Sequence, residues 1–387
     1  MAQQKPQVHI DDNSDDALCV FSNGDIISGE ISIQAESNMP YSELVIMLEG
    51  VTTVSMQHEL GTKIQSTQTF LRLRQQMRVE RPGNVPFSFV LPSALPTELC
   101  NHAVSDPLVR YAHTALPPSL GGKAACDTGR KNADILTPNA VHVRYYIKAT
   151  LQTCHQNIEP VLSTRREIYI IPTPSSDRPP PAFTLVPSDL DKVTQKEESI
   201  IETKIVRNIF RQSEGRLAIE TLQSDPLSMH VHRQRPTETI VPLRLRYHPA
   251  SSGICPRLHR LTTSIRALTS FGLSPSRDFS NRTPTRQSSV YVKTLQIATQ
   301  DLSSTTWEVV PCHTETKTEE KERAYEALVP LSIVLPPEIP FVPTFSSCLV
   351  GRSYELEIGV YYQVGRESVF SRRISTILPL VITMSGR

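Results

Sequence analysis

From Val141 to Thr153 the chain alternates between apolar and more polar side chains. Val141, Val143, Tyr145, Ile147, Ala149 and Leu151 fall on one side, and His142, Arg144, Lys148 and Gln152 on the other. Successive side chains of an extended strand point to opposite faces, so this period of two predicts a strand with one face buried. The pattern returns near the end of the chain. There Tyr354, Leu356, Ile358, Val360, Tyr362 and Val364 face one way, against Ser353, Glu355, Glu357 and Gln363. Helical spacing fits neither stretch. Each is followed by a second short apolar strand, "REIYIIP" at 166–172 and "TILPLVIT" at 376–383. Each is also preceded by a β-patterned segment that runs into Leu-Pro, further prolines and a cysteine: "FSFVLPSALPTELC" at 87–100 and "LSIVLPPEIPFVPTFSSC" at 331–348. Proline cannot donate to a sheet ladder, so it ends strands in such positions. The shared order of parts predicts an internal duplication at domain scale; convergent reuse of strand patterns is the alternative.

Further strands are predicted at 25–34, 43–50 and 69–75 in the first half, and at 217–222, 239–248, 261–271 and 289–298 in the second. One short helical turn is predicted at Pro107–Ala112. The stretch "PTPSSDRPPPAFTLVPSDLDK" at 172–192 has no regular period and divides the copies. The expected class is therefore all-β, with two tandem antiparallel β-sandwich domains of immunoglobulin-like type. A flexible acidic N-terminus is expected over 1–16, a first sandwich over 17–172, a Pro-rich linker over 173–192 and a second sandwich over 193–387.

Composition agrees with this division. A chain of 387 residues suits two cores of ordinary size. Its 31 prolines, 15 glycines and one tryptophan fit many short strands joined by loops. The 40 basic and 39 acidic side chains leave a net charge of +1, so no global field favours nucleic acid, and an anionic partner must be met by a local patch. Seven scattered cysteines without a CxxC pair favour reduced thiols in the cytosol. The N-terminus has no basic flank followed by an apolar run, and no run approaches the roughly 20 apolar residues of a membrane helix. A cytoplasmic protein is expected. The sequon at Asn281-Arg-Thr283 is too short a pattern to overturn that.

The common phosphate loops, zinc helices and nucleophile elbows are missing, and no catalytic residue or cofactor is assigned. The best metal candidate is His230-Val-His232, whose imidazoles would share a strand face. Two ligands do not close a zinc site, and Cys255 or Cys312 would have to join them, so solvent-facing histidines are the preferred reading. One electrostatic feature stands out. Between 257 and 286 lie Arg257, Arg260, Arg266, Arg277, Arg282 and Arg286 against a single acid, Asp278. Arginine grips phosphate bidentately, so Arg257, Arg260, Arg277 and Arg282 are candidates for phosphorylated cargo tails or phosphoinositide headgroups, in a stretch that reads as loop-rich. A solvated loop is the plainer alternative.

Several segments together resemble the α-arrestin family, most closely the arrestin-like proteins of filamentous fungi. In the first half these are "FSNGDIISGEISI", "SELVIMLEGVTT", "VPFSFVLPSALPTEL", "ALPPSLGG" and "VRYYIKATL"; in the second, "YEALVPLSIVLPPEIPFVPTFSSCLVGRSYELEI". The resemblance implies two β-sandwiches in tandem and an adaptor role in membrane-protein sorting and ubiquitin-dependent endocytosis, with recruitment to plasma membrane or endosomes. Relatives that recruit HECT-type ubiquitin ligases usually carry Pro-Pro-x-Tyr in a C-terminal tail. This chain reaches Arg387 directly after its last predicted strand. The nearest approach is "PPAF", Pro180 to Phe183, where phenylalanine lacks the hydroxyl that a WW-type groove would meet. A ligase is therefore expected to be reached through another adaptor or a nonstandard contact. The alternative function is a retromer-like or vesicle-coat subunit of the same fold.

Overall fold

Both alternating stretches become central strands. The structure, a computed structural model of the chain, describes residues 7–10, 20–33, 41–57, 61–121, 134–153, 162–173, 199–207, 213–222, 226–230, 238–250, 255–277, 287–311, 323–336, 339–364 and 371–385. The described residues are all-β apart from two short helical turns.

The first half contains β1 (Gln7–Ile10), β2 (Val20–Phe21), β3 (Ile26–Ile33), β4 (Tyr41–Gln57), β5 (Lys63–Met77), β6 (Gly83–Val90), β7 (Val141–Thr153) and β8 (Leu162–Ile170). They form two sheets, ordered β1-β3-β6 and β2-β8-β7-β4-β5. Every pairing is antiparallel except that of the short β2 on β8. A 3-10 turn (Thr97–Cys100) and α1 (Pro107–His113) lie between β6 and β7. The helix starts where predicted: the Asp106 side chain accepts from the Leu108 amide at 2.6 Å, and Pro107 takes the first position, where its missing N–H costs nothing.

The second half contains β9 (Ser199–Arg207), β10 (Ser213–Leu222), β11 (Leu227–His230), β12 (Thr239–Pro249), β13 (Arg257–Gly272), β14 (Ser288–Asp301), β15 (Glu308–Pro311), β16 (Arg323–Ile333), β17 (Phe345–Ser346), β18 (Val350–Gln363), β19 (Arg372–Leu380) and β20 (Ile382–Ser385). Most of its pairings repeat those of the first half, with β9, β15 and β17 added. The order β1-β3-β6 has its counterpart in β10-β12-β16, and β8-β7-β4-β5 in β19-β18-β13-β14. Even the parallel pair recurs, as β11 on β20, the continuation of β19. Thus β7 and β18, which carry Tyr145 and Tyr354, hold equivalent places.

Each pair of sheets encloses a core. Ile27, Ile31, Phe87 and Phe89 of one sheet meet Leu44, Ile46, Tyr145 and Ile147 of the other. In the second half Leu217, Leu243 and Val329 meet Ile265, Leu356 and Leu378. The repeat extends to the tyrosine hydroxyls. Tyr145 Oη donates to the Pro117 carbonyl at 2.6 Å, and Tyr354 Oη to the Val342 carbonyl at 2.9 Å. Each tyrosine thereby pins the proline-bearing segment upstream of its own strand, and burial raises both phenol pKa values.

The two cores interlock. Leu136 of the first half is fully buried in the second core, and Phe271, Val342, Phe345, Leu349 and Val350 of the second half pack into the first. Arg352, 1% exposed, donates from Nη2 to Thr137 Oγ1 at 2.6 Å. The Thr137 hydroxyl in turn donates to Asp134, which also accepts from the amides of Leu136 (3.1 Å) and Gly121 (3.3 Å). Gly121 has φ +69°, and a Cβ there would lie 2.3 Å from the Val141 carbonyl oxygen. Gly121→Ala is therefore expected to cost more than the ~1–2 kcal/mol of left-handed backbone alone. Gly61 has φ +80° and nothing within 4 Å of the added atom, so Gly61→Ala should show only the backbone share. Denaturant titration of both variants checks this; equal losses would mean that the 134–141 segment yields without cost.

Two expectations need correction, and one strand is unpredicted. Within the N-terminal 1–16, Gln7–Ile10 is a strand on the edge of β3, because Val8 packs onto the first core and the backbone completes its hydrogen bonds there. β9 has no counterpart among the predicted strands. The arginine-bearing stretch after 256 is one strand as far as Gly272, because every second side chain from Leu261 to Ala267 is buried.

Candidate functional site

That strand separates the candidate arginines. Arg257 and Arg260 sit at the start of β13, and Arg277 lies beyond its end, after a strand of 16 residues or about 50 Å. The Arg277 carbonyl accepts from the Ser105 amide at 3.3 Å, beside α1. Arg282, with Arg286, lies outside the described residues, as do Pro180 and Phe183 of the linker. Arg266 is committed to Glu355, the residue opposite it on β18, at 2.9 Å. The described arginines of the stretch therefore do not make one patch. Arg260 instead joins side chains that the sequence places a hundred residues away. Its guanidinium lies 4.4 Å from the centre of the Tyr361 ring, and that of Arg373 lies 5.9 Å from it. These residues stand side by side on β13, β18 and β19. Arg373 also pairs with Glu357 at 2.6 Å, while Arg257 and Arg260 face solvent at this end, with the exposed Asp301 of β14 opposite Arg260.

On the outer face of the β15-β16-β12-β10-β9 sheet, two arginines and two glutamates close a ring. Arg244 reaches Glu326 at 3.0 Å and Glu220 at 3.6 Å; Arg246 reaches the same two at 3.1 and 3.5 Å. The ring is neutral and partly exposed, so each bridge is worth at most about 1 kcal/mol. Beside it lies a groove of about 640 Å³ with exposed Ile201 and Ile205 on one side and Arg216, Arg246 and His248 on the other.

A third arrangement gathers four side chains that could hold a metal ion. Cys100 ends the 3-10 turn, His102 follows it, His113 ends α1, and Cys348 lies between β17 and β18. One ligand atom from each can be drawn within 4.8 Å of all the others. Cys100 Sγ is 3.3 Å from His102 Nε2 and 3.6 Å from His113 Nδ1. Cys100, His113 and Cys348 are buried, and His102 is partly so. His102 Nδ1 lies 3.1 Å from the Ala103 carbonyl. A carbonyl only accepts, so this contact keeps the proton on Nδ1 and turns the Nε2 lone pair to the cluster. Burial, followed by the charge of Cys100 nearby, pushes the Cys348 thiol up to about 12. Both cysteines are free thiols.

Sequence spacing hid this cluster, since one ligand comes from the other half of the chain. The one trace of it in the sequence is that both copies of the proline-rich motif, read there only as a repeat, end in a cysteine, Cys100 and Cys348. Of the other metal candidate, His232 and Cys312 lie outside the described residues, and Cys255 is a partly buried thiol raised to about 11 by burial. Among the described residues no helix is long and apolar enough to cross a membrane. The chain matches no known family model and no curated protein.

Proposed function

We propose that the protein is a non-catalytic, arrestin-like adaptor built from two tandem β-sandwich domains, which links membrane-protein cargo to ubiquitin-dependent endocytosis. The observation that carries this reading is the repeated sheet order of the two halves with interlocked cores. Such an arrangement holds two similar sheet surfaces at a fixed spacing, which suits bridging one partner to another. The sequence resemblance to α-arrestins supports it as well. Acidic or phosphorylated cargo tails are assigned to the Arg257–Arg260 end of β13, where charge faces solvent beside an aromatic ring. The adaptor acts in the cytoplasm and is recruited to plasma membrane or endosomes by its cargo, with a HECT-type ligase reached through a second adaptor.

Proximity labelling and affinity capture in the native cell test this. Transport proteins and ligase components are the expected neighbours. A stable, stoichiometric coat complex without them would replace this reading by the vesicle-coat one. In vitro, phosphorylated tail peptides should bind the parent and weaken as salt rises, since exposed charges are screened within about 8 Å at physiological ionic strength. Arg257→Ser/Arg260→Ser should lose most of that binding, whereas Arg277→Ser, about 50 Å away along β13, should keep it. Equal binding by the two variants would remove the assignment.

A further inference from the structure

We propose that Cys100, His102, His113 and Cys348 form a structural zinc site that staples the two halves of the chain. Tetrahedral zinc holds sulfur at about 2.3 Å and nitrogen at about 2.05 Å, which places a sulfur and a nitrogen ligand about 3.5 Å apart. The two sulfur–nitrogen separations at Cys100, 3.3 and 3.6 Å, bracket that edge. Two thiols and two imidazoles are the donor set of closed structural zinc sites, and they leave no open position for substrate. The Ala103 carbonyl that holds His102 Nδ1–H supplies the outer contact that orients a ligating imidazole.

Position adds a second argument. Three ligands come from the stretch between β6 and β7, whose short helical segments bury few side chains of their own: Cys100 in the 3-10 turn, and Ala112 and His113 in α1. The fourth comes from a tight turn in which Ser347 and Val350 bond each other, and the Cys348 carbonyl accepts from Ser276 at 2.9 Å. A metal at their meeting point would close a loop of more than two hundred residues. Binding would convert both thiols to thiolates and release two protons to solvent, so affinity should rise with pH. Cobalt(II), which takes the same geometry, is a spectroscopic probe for the site.

The test uses the full chain purified under reducing conditions. The expected result is about one zinc per chain by elemental analysis. Replacement by cobalt should give tetrahedral d–d bands with thiolate charge transfer. Cys348→Ser and His113→Ala should weaken zinc by more than about 100-fold, beyond the 10–100-fold that loss of an outer partner costs. Cys255→Ser, a thiol outside the cluster, should leave the spectrum unchanged. Should the ligand variants fail to fold, the parent alone decides: chelation should lower its melting temperature and zinc should restore it. A parent that takes up neither zinc nor cobalt overturns the proposal. So does a cobalt spectrum without thiolate charge transfer, or a Cys100–Cys348 disulfide in the freshly isolated chain. None of these outcomes bears on the adaptor reading.

Discussion

Arg266→Ala is expected to lower stability by about 3–5 kcal/mol, because it removes the guanidinium that neutralises a carboxylate buried in the middle of a sheet. The Glu355 side chain is 2% exposed and lies directly across from Arg266 on β18, at 2.9 Å. A unit of 150–250 residues loses about 2–4 °C of melting temperature per kcal/mol, so the shift should be roughly 6–20 °C if the second half unfolds on its own. The pair is not expected to be irreplaceable. Arg266→Met/Glu355→Leu should return most of the loss, since well-packed apolar side chains often match or exceed a buried ion pair. Chemical denaturation of parent, single and double variants gives the coupling directly. A loss below about 1 kcal/mol for Arg266→Ala would rank the pair with ordinary surface bridges.

Tyr145→Ala and Tyr354→Ala should each cost about 3–5 kcal/mol, the range for emptying a large aromatic site in a packed core. Both side chains are almost fully buried, and Tyr145 also meets the Phe70 ring edge-on, with centroids 5.3 Å apart. The hydroxyls can be separated from the rings. Tyr145→Phe leaves the Pro117 carbonyl without its donor, and Tyr354→Phe does the same to Val342, at about 1–3 kcal/mol each. If the two halves repeat one design, the phenylalanine variants should lose similar amounts. A neutral Tyr354→Phe beside a costly Tyr145→Phe, read by the same denaturation curves, would show that only the first half depends on its pinned segment.

Much of this framework was legible in the chain. Alternation alone places the inward residues of β7 and β18, because the period of two is a property of a single strand and each of these strands is buried on at least one face. The short helix was legible from Asp106 and Pro107, since capping is also local. Strand ends were less so. β5 begins at Lys63, and "KIQSTQ" has little apolar alternation because that end of an edge strand faces solvent. β1 and β9 escaped for a related reason: they are edge strands, defined by backbone bonding to a neighbour that local sequence does not name.

By itself, then, the sequence determined the all-β class, the buried faces of the central strands and the order of the repeated parts. Only the tertiary structure decided which side chains meet. It committed Arg266 to Glu355, set Arg260 and Arg373 beside Tyr361, and moved Arg277 to the far end of β13. It also carried Cys348 across to Cys100, His102 and His113. Register between strands, and packing between halves, depends on residues up to 249 positions apart. Local periodicity holds no record of such pairs, because what selects them is complementarity of charge, shape and hydrogen bonding across the sheet.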